Sequence, residues 1–365
     1  MPKNYSIFLD GVRLFAALMV LLGHFSFPLF SGGALPRIPI EHDGVVIFFL
    51  LSGYVIGYCA HERETTLAKF GVARAARVLS VAIPALILTI VLDRAGMALA
   101  PKLYGDAYEF RKWYLYVPLF MSFTSEIWLL KISAFSNTPY WSLVYEVWYY
   151  AFFASLFFFR GPWRVAAAGA AFLVMGPKIW ILAPLWFAGY ALYRIHKGIG
   201  ISPATAALLA ALALIAYGAI KFYGVDSALD GWANAMSGDW IRQHLSGSQF
   251  FLGDYLKGLC IFLALFSARY CLPRWVEDAR VARPVRYASQ FTFSLYLFHF
   301  PILMFLAAAL PGSTGAIFRI AMVFLVVLTL GGWCEAQKGR LRRLFTGMIA
   351  PFTSTRLAVS APPPP

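Results

Sequence analysis

The sequence predicts an all-α polytopic integral membrane protein, and three observations carry that expectation. First, 60% of its 365 residues are hydrophobic and 13% are charged, against about 25% charged in a soluble domain. Second, apolar runs near the ~20 residues needed to cross a bilayer recur at 7–28, 43–60, 78–95, 139–159, 202–220, 248–267, 289–310 and 315–334. Third, basic residues collect between these runs, at 61–77, 160–164, 194–197, 268–286 and 335–343, as the positive-inside rule requires. The same distribution accounts for the net charge of +14 without a nucleic-acid partner.

The first run is interrupted by Arg13 and ends near His24, with no persuasive signal-peptide cleavage site after it. The stretch 163–194 splits at "GPK" (176–178) into two shorter apolar pieces and reads as a tight helical hairpin. The stretch 113–131 is aromatic but broken by Pro118 and polar residues, and reads as an interfacial or re-entrant element. If the hairpin crosses twice and 113–131 does not cross, all five basic clusters share one side. That arrangement has about ten transmembrane helices with both termini cytoplasmic, in the cell inner membrane. A single broken helix at 163–194 would instead make 113–131 a true span. One membrane domain is expected over 1–350, followed by a disordered Pro-rich tail at 351–365 that ends "APPPP". The cysteines (Cys59, Cys260, Cys271, Cys334) show no paired spacing, so neither a disulfide framework nor a metal site is expected.

Four stretches carry residues able to do chemistry. In "LDGVRLFAALMVLLGHF", ten residues separate Arg13 from His24. Eleven helical steps come to about 20° past three turns, so both side chains share a face, roughly 16 Å apart along the axis. Ionisable groups at such depth are costly and face a cavity or a partner. Asp10 also stands where it can pair locally with Arg13 at i,i+3. In "TPYWSLVYEVWYY", Glu146 lies at a depth similar to that of His24. A carboxylate facing an imidazole is a base-and-orienter arrangement for activating a hydroxyl; a structural bond to a neighbouring Tyr or Trp is the competing reading. In "RAAR", Arg74 and Arg77 either anchor the helix by charge or grip phosphates bidentately. In "FTFSLYLFHFP", Tyr296 and His299 share a helix face one turn apart. The longest external stretch, 221–247, offers Trp232, Trp240, Asp230 and Asp239, which suit sugar rings and a plain amphipathic loop equally well. His42, His61, His196 and His244 lie in loops or at helix ends and receive no role.

Together these stretches resemble the acyltransferase-3 family of membrane-bound O-acyltransferases. "LDGVRLFAALMVLLGH" resembles its arginine–ten residues–histidine signature. "GVVIFFLLSGYVIG", containing Ser52, resembles its LSGF signature, with Tyr54 in place of the usual Phe. "YWSLVYE" (Tyr140, Trp141, Ser142, Glu146) and "FSLYLFHFP" (Tyr296, His299) resemble its tryptophan-serine-leucine and histidine-proline signatures. "RAARVLSVAIPALILT" resembles its RxxR element, although Ser80 stands where many members have proline. The similarity runs from about residue 5 to 345.

The resemblance implies a standalone O-acetyltransferase with acetyl-CoA, or another acyl-CoA, as donor. Its acceptor would be a cell-surface polysaccharide or lipid-linked precursor, and membrane lipid would surround it. Arg74 and Arg77 would hold the CoA phosphates, and Arg13 would line the channel or hold the donor. His24 would be the base or the acyl carrier, oriented by Glu146. Ser52, Tyr140, Trp141, Ser142, Tyr296 and His299 would serve as substrate or structural support. Three rivals remain at this stage: O-acylation of a small hydroxylated metabolite, a proton-coupled transporter and a structural scaffold.

Overall fold

The computed structural model describes residues 1–105, 112–312 and 315–358. The described part contains fourteen helices of eight or more residues. They are α1 (Lys3–Phe25), α2 (Glu41–Glu62), α3 (Leu67–Leu99), α4 (Trp113–Met121), α5 (Tyr140–Phe158), α6 (Gly161–Met175) and α7 (Pro177–Gly198). There follow α8 (Pro203–Tyr223), α9 (Val225–Met236), α10 (Phe251–Cys271), α11 (Ala279–Ser289), α12 (Thr292–Ala309), α13 (Ala316–Val326) and α14 (Gly332–Ala358). No strand occurs among the described residues, so the all-α expectation is borne out.

The count of ten spans is not reached by length and hydropathy alone. Among the described residues seven segments qualify individually: Lys3–Phe25, Glu41–Glu62, Leu67–Leu99, Pro203–Tyr223, Ser246–Cys271, Thr292–Ala309 and Ala316–Ala350. The pair α6 and α7 qualifies only jointly and is bent by 120° at the break between them. Helix α5, which is expected to cross, is absent from that set because hydroxyls and Glu146 dilute its apolar run. The 113–131 stretch forms only the nine-residue α4 before the chain turns away. At about 1.5 Å per residue such a helix is far too short to cross.

Local chemistry sets the helix boundaries. Thr66 caps α3 by accepting from the Lys69 N–H at 3.3 Å. Ser202 caps α8 at 3.1 Å from Thr205, with Pro203 in the first turn, where its missing N–H costs nothing. Gly176 makes the bend between α6 and α7. Its φ is +76°, and a Cβ there would lie 2.4 Å from Trp128 Cα, so no other residue fits without movement. At the other end of the chain, a π-turn at Val327–Gly331 joins α13 to α14. The helix then continues through the basic cluster 335–343 to Ala358. The backbone of 351–358, placed in the tail by composition, is therefore helical, and 359–365 lie outside the described residues.

Helix α2 is the hub. It packs against α1 and, most tightly, against α7, where a Cβ on Gly189 would sit 2.0 Å from the Leu50 carbonyl oxygen. Helix α12 lies against α3 and α1. These contacts leave a polar interior between α1, α2, α3, α5 and α12.

Candidate functional site

Helix α2 is 22 residues long, so its ends stand about 33 Å apart. Arg74 and Arg77 lie near the start of α3, which follows the C-terminal end of α2 after a short turn; His42 lies at the N-terminal end of α2. These define an Arg77 end and a His42 end of the bundle.

A cavity opens at the Arg77 end. Its polar lining comprises Arg13, Arg74, Arg77, Ser52, Ser142, Glu146, Tyr150, Thr292 and Tyr296, and its apolar lining includes Phe48, Phe49 and Val78. Residues expected to act together from four separate stretches of sequence therefore share one space. The cavity is narrow, about 70 Å³, enough for a few waters.

The three guanidiniums differ in their pairing. Arg13 lies 3.6 Å from Asp10, so the local pair and the cavity placement both hold. Arg74 is gripped by both oxygens of Glu64, at 2.7 and 3.0 Å. Arg77 has no ion pair among the described residues. The lining itself supplies one carboxylate, Glu146, while Asp10 and Glu64 compensate Arg13 and Arg74 from outside it. Arg77, the guanidinium left without an ion pair among the described residues, favours an anionic guest in a site partly shielded from water.

The expected partnership of Glu146 with His24 is corrected by the structure. Ser52 Oγ donates to Glu146 Oε1 at 2.5 Å, and the Tyr150 hydroxyl, one turn along α5, donates to the same oxygen. Trp186 Nε1 in turn donates to Ser52 Oγ at 3.0 Å. Glu146 is thus turned into the cavity by neighbours on α5, α2 and α7. The depth argument failed because equal depth on two helices does not fix the rotation of either.

His24 takes its partner from α12. His24 Nδ1 and His299 Nε2 are 3.0 Å apart, and His299 Nδ1 is 2.9 Å from the Leu295 carbonyl. The carbonyl can only accept, so His299 Nδ1 carries the proton and its Nε2, in the neutral ring, accepts. His24 Nδ1 must then be the donor, which leaves the lone pair on His24 Nε2. Neither histidine lines the Arg77-end cavity, but Tyr296 does, and its ring lies 6.3 Å from that of His299. Tyr296 is also held 2.6 Å from Ser142, and its hydroxyl donates to the Pro139 carbonyl at 3.1 Å.

Two residues of the "YWSL" stretch belong elsewhere. The Tyr140 hydroxyl donates to the Phe120 carbonyl at 3.0 Å. Trp141 lies parallel to His42, with ring centroids 5.8 Å apart. Both line a second space at the His42 end.

That second region was foreseen only through the 221–247 stretch, whose Asp230 lines it, and not through His42 or α10. His42 Nε2 is 2.7 Å from Asp254 Oδ2. Lys257 Nζ reaches Asp43 at 2.6 Å, Asp254 at 3.4 Å and Asp226 at 3.5 Å, while Lys221 reaches Asp226 at 3.1 Å and Asp43 at 3.2 Å. Tyr217 donates to Asp43 at 2.8 Å. Burial opposes ionisation of Asp226, but the Lys221 hydrogen bond, the Ser227 N–H and the nearby lysine charges hold its carboxyl below its usual range. One sequence signal pointed here: Asp254 and Lys257 stand three residues apart inside the apolar run 248–267, and intramembrane charges mark function or pairing.

No three or more His, Cys, Asp or Glu side chains among the described residues are grouped as metal ligands. The profile of a family described as an acyltransferase domain matches residues 6–334. Comparisons with curated proteins and with solved structures give no match.

Proposed function

The chain belongs to the acyltransferase-3 family, and from that premise we propose that this membrane acyltransferase moves an acetyl group from acetyl-CoA to a hydroxyl of a cell-surface glycan or its lipid-linked precursor. The observation that carries the reading is the cavity lined by the guanidiniums of Arg13, Arg74 and Arg77. The phosphates of CoA are the anions it suits. Arg77, which has no ion pair among the described residues, supplies the first fork of donors. Arg74 is held in place by Glu64 and supplies the second. The Arg77 end would face the cytosol, where the donor is found.

An extended pantetheine arm would have to widen this narrow space, running between Arg13 and the Ser52–Glu146–Tyr150 group toward Tyr296. Tyr296 leads through His299 to His24, whose Nε2 lone pair would take the proton from the acceptor hydroxyl. The acceptor oxygen bonds to the thioester carbonyl carbon, the carbon–sulfur bond breaks, and the CoA sulfur leaves as thiolate. His299 positions the base by fixing its tautomer, the part first given to Glu146. Direct transfer of this kind draws typically 10²–10⁴-fold from general base catalysis.

The test uses membranes containing the protein, radiolabelled acetyl-CoA and a crude lipid-linked glycan fraction. Label is followed into alkali-labile ester for wild type and His24→Ala at matched expression. Ester formed by wild type and lost in the variant supports the reading. Equal ester in both removes His24 from the chemistry, and none in either removes the donor or the acceptor.

A further inference from the structure

The His42 end holds a cavity of about 460 Å³ lined by Arg37, Glu41, His42, Asp43, Lys221, Asp226, Asp230, Asn234, Arg242, Gln249, Phe250 and Lys257, among others. Four cations (Arg37, Lys221, Arg242, Lys257) face four carboxylates (Glu41, Asp43, Asp226, Asp230) across it. Asp239 and Asp254 pair with Arg242 and Lys257 from outside the lining, so the cations are fully compensated and give an anionic guest no unpaired charge to bind. What the walls do offer is dense alternation of donors and acceptors, including both kinds on Asn234 and Gln249. One apolar face is also open, the Phe250 ring, which is 41% exposed. Paired charges fixed in place, amides and one bare aromatic face match a neutral polyhydroxylated ring, whose hydroxyls each donate and accept and whose C–H face is apolar.

His42 is the most directed of these groups. Asp254, itself 0% exposed, binds its Nε2 at 2.7 Å, and Trp141 and Phe250 pack against its ring. With Nε2 donating to the carboxylate, the neutral ring leaves Nδ1 as an acceptor. The two cavities approach each other at this level. His42 lies one turn before Val45 on α2, and Val45 lines the Arg77-end cavity. Trp141 lines the space beside His42, while the next residue, Ser142, lines the Arg77-end cavity.

We propose that the cavity at the His42 end is the acceptor subsite, which takes a neutral sugar ring and holds one of its hydroxyls on His42 Nδ1. This rests on the acyltransferase reading above and adds to it where the acceptor sits and what recognises it. His42 is assigned to binding; the base remains His24.

The experiment measures initial rates of label transfer while varying the glycan fraction and acetyl-CoA in turn, for wild type, His42→Gln and Phe250→Ala. The expected result is a tenfold or greater rise in the glycan concentration giving half-maximal rate in both variants, with the acetyl-CoA dependence unchanged. Wild-type transfer with an unchanged glycan dependence in both variants overturns the subsite and leaves the acyltransferase reading standing. No transfer by wild type overturns both. If His42→Gln fails to fold, judged by thermal melting in detergent, Phe250→Ala carries the test, since its ring is substantially exposed. A neutral maltodextrin added as competitor should raise the half-maximal glycan concentration for wild type. An equal effect of an anionic polysaccharide would remove the assignment to neutral sugars.

Discussion

The two cavities are built from the same kinds of charged residue and come out opposite in character. At the Arg77 end Arg13 and Arg74 are paired with Asp10 and Glu64, and Arg77 has no ion pair among the described residues. At the His42 end every cation of the lining is paired with a carboxylate, and lysines bridge two or three aspartates each. Uncompensated charge in a half-dry site is costly, so it points to a guest that brings the opposite charge. Compensated charge costs less and can serve as rigid hydrogen-bonding wall. One cavity is thus poised for a polyanion and the other for something neutral.

The largest effect that would break this contrast lies at His24. His24→Ala should lower transfer by about 10²–10⁴-fold while the protein still inserts, measured as labelled ester in membranes at matched expression. The next concerns the compensated end. Lys257→Met leaves Asp43, Asp226 and Asp254 sharing one fewer cation. Removing one partner of such a buried group costs about 3–5 kcal/mol, read as a fall in melting temperature of the purified protein. A variant as stable as wild type would mean that these ions are not holding the His42 end together.

A smaller effect belongs to the arginines. Arg77→Ala should raise the acetyl-CoA concentration for half-maximal rate by about 10–100-fold, the worth of a charge-assisted bond pair. Glu64→Gln should change it less, because Arg74 keeps its charge and gains freedom. Similar dependence on acetyl-CoA in wild type and Arg77→Ala would take the phosphates away from this cavity. The smallest effect tests the frame. Gly189→Ala presses a methyl onto the Leu50 carbonyl and should destabilise by about 1–3 kcal/mol, visible in the same melting assay.

Much of this was legible in the sequence because it depends on local periodicity. Hydrophobic run length fixes an all-α membrane bundle, and helical geometry places Arg13 and His24 on one face and Arg74 beside Arg77. Those are properties of single helices, set by 3.6 residues per turn and by the cost of exposing backbone to lipid. The break at Gly176 was likewise visible as "GPK". Span counting was less secure, because α5 is too rich in hydroxyls to register as apolar although it lies within the bundle.

The rest required the tertiary structure. His24 and His299 are 275 positions apart, His42 and Asp254 are 212 apart, and Ser52 and Glu146 are 94 apart. Which of these pairs forms depends on how each helix is rotated about its axis and how far it is shifted along it. Those quantities are set by packing, such as the close seat of Gly189 on α2, and not by composition. Glu146 shows the consequence. Its helix and depth could be read from the chain, but a rotation of α5 decides whether its carboxylate meets an imidazole or, as here, two hydroxyls. The sequence determined which groups lie within the membrane; only the packing of the helices decided which of them meet.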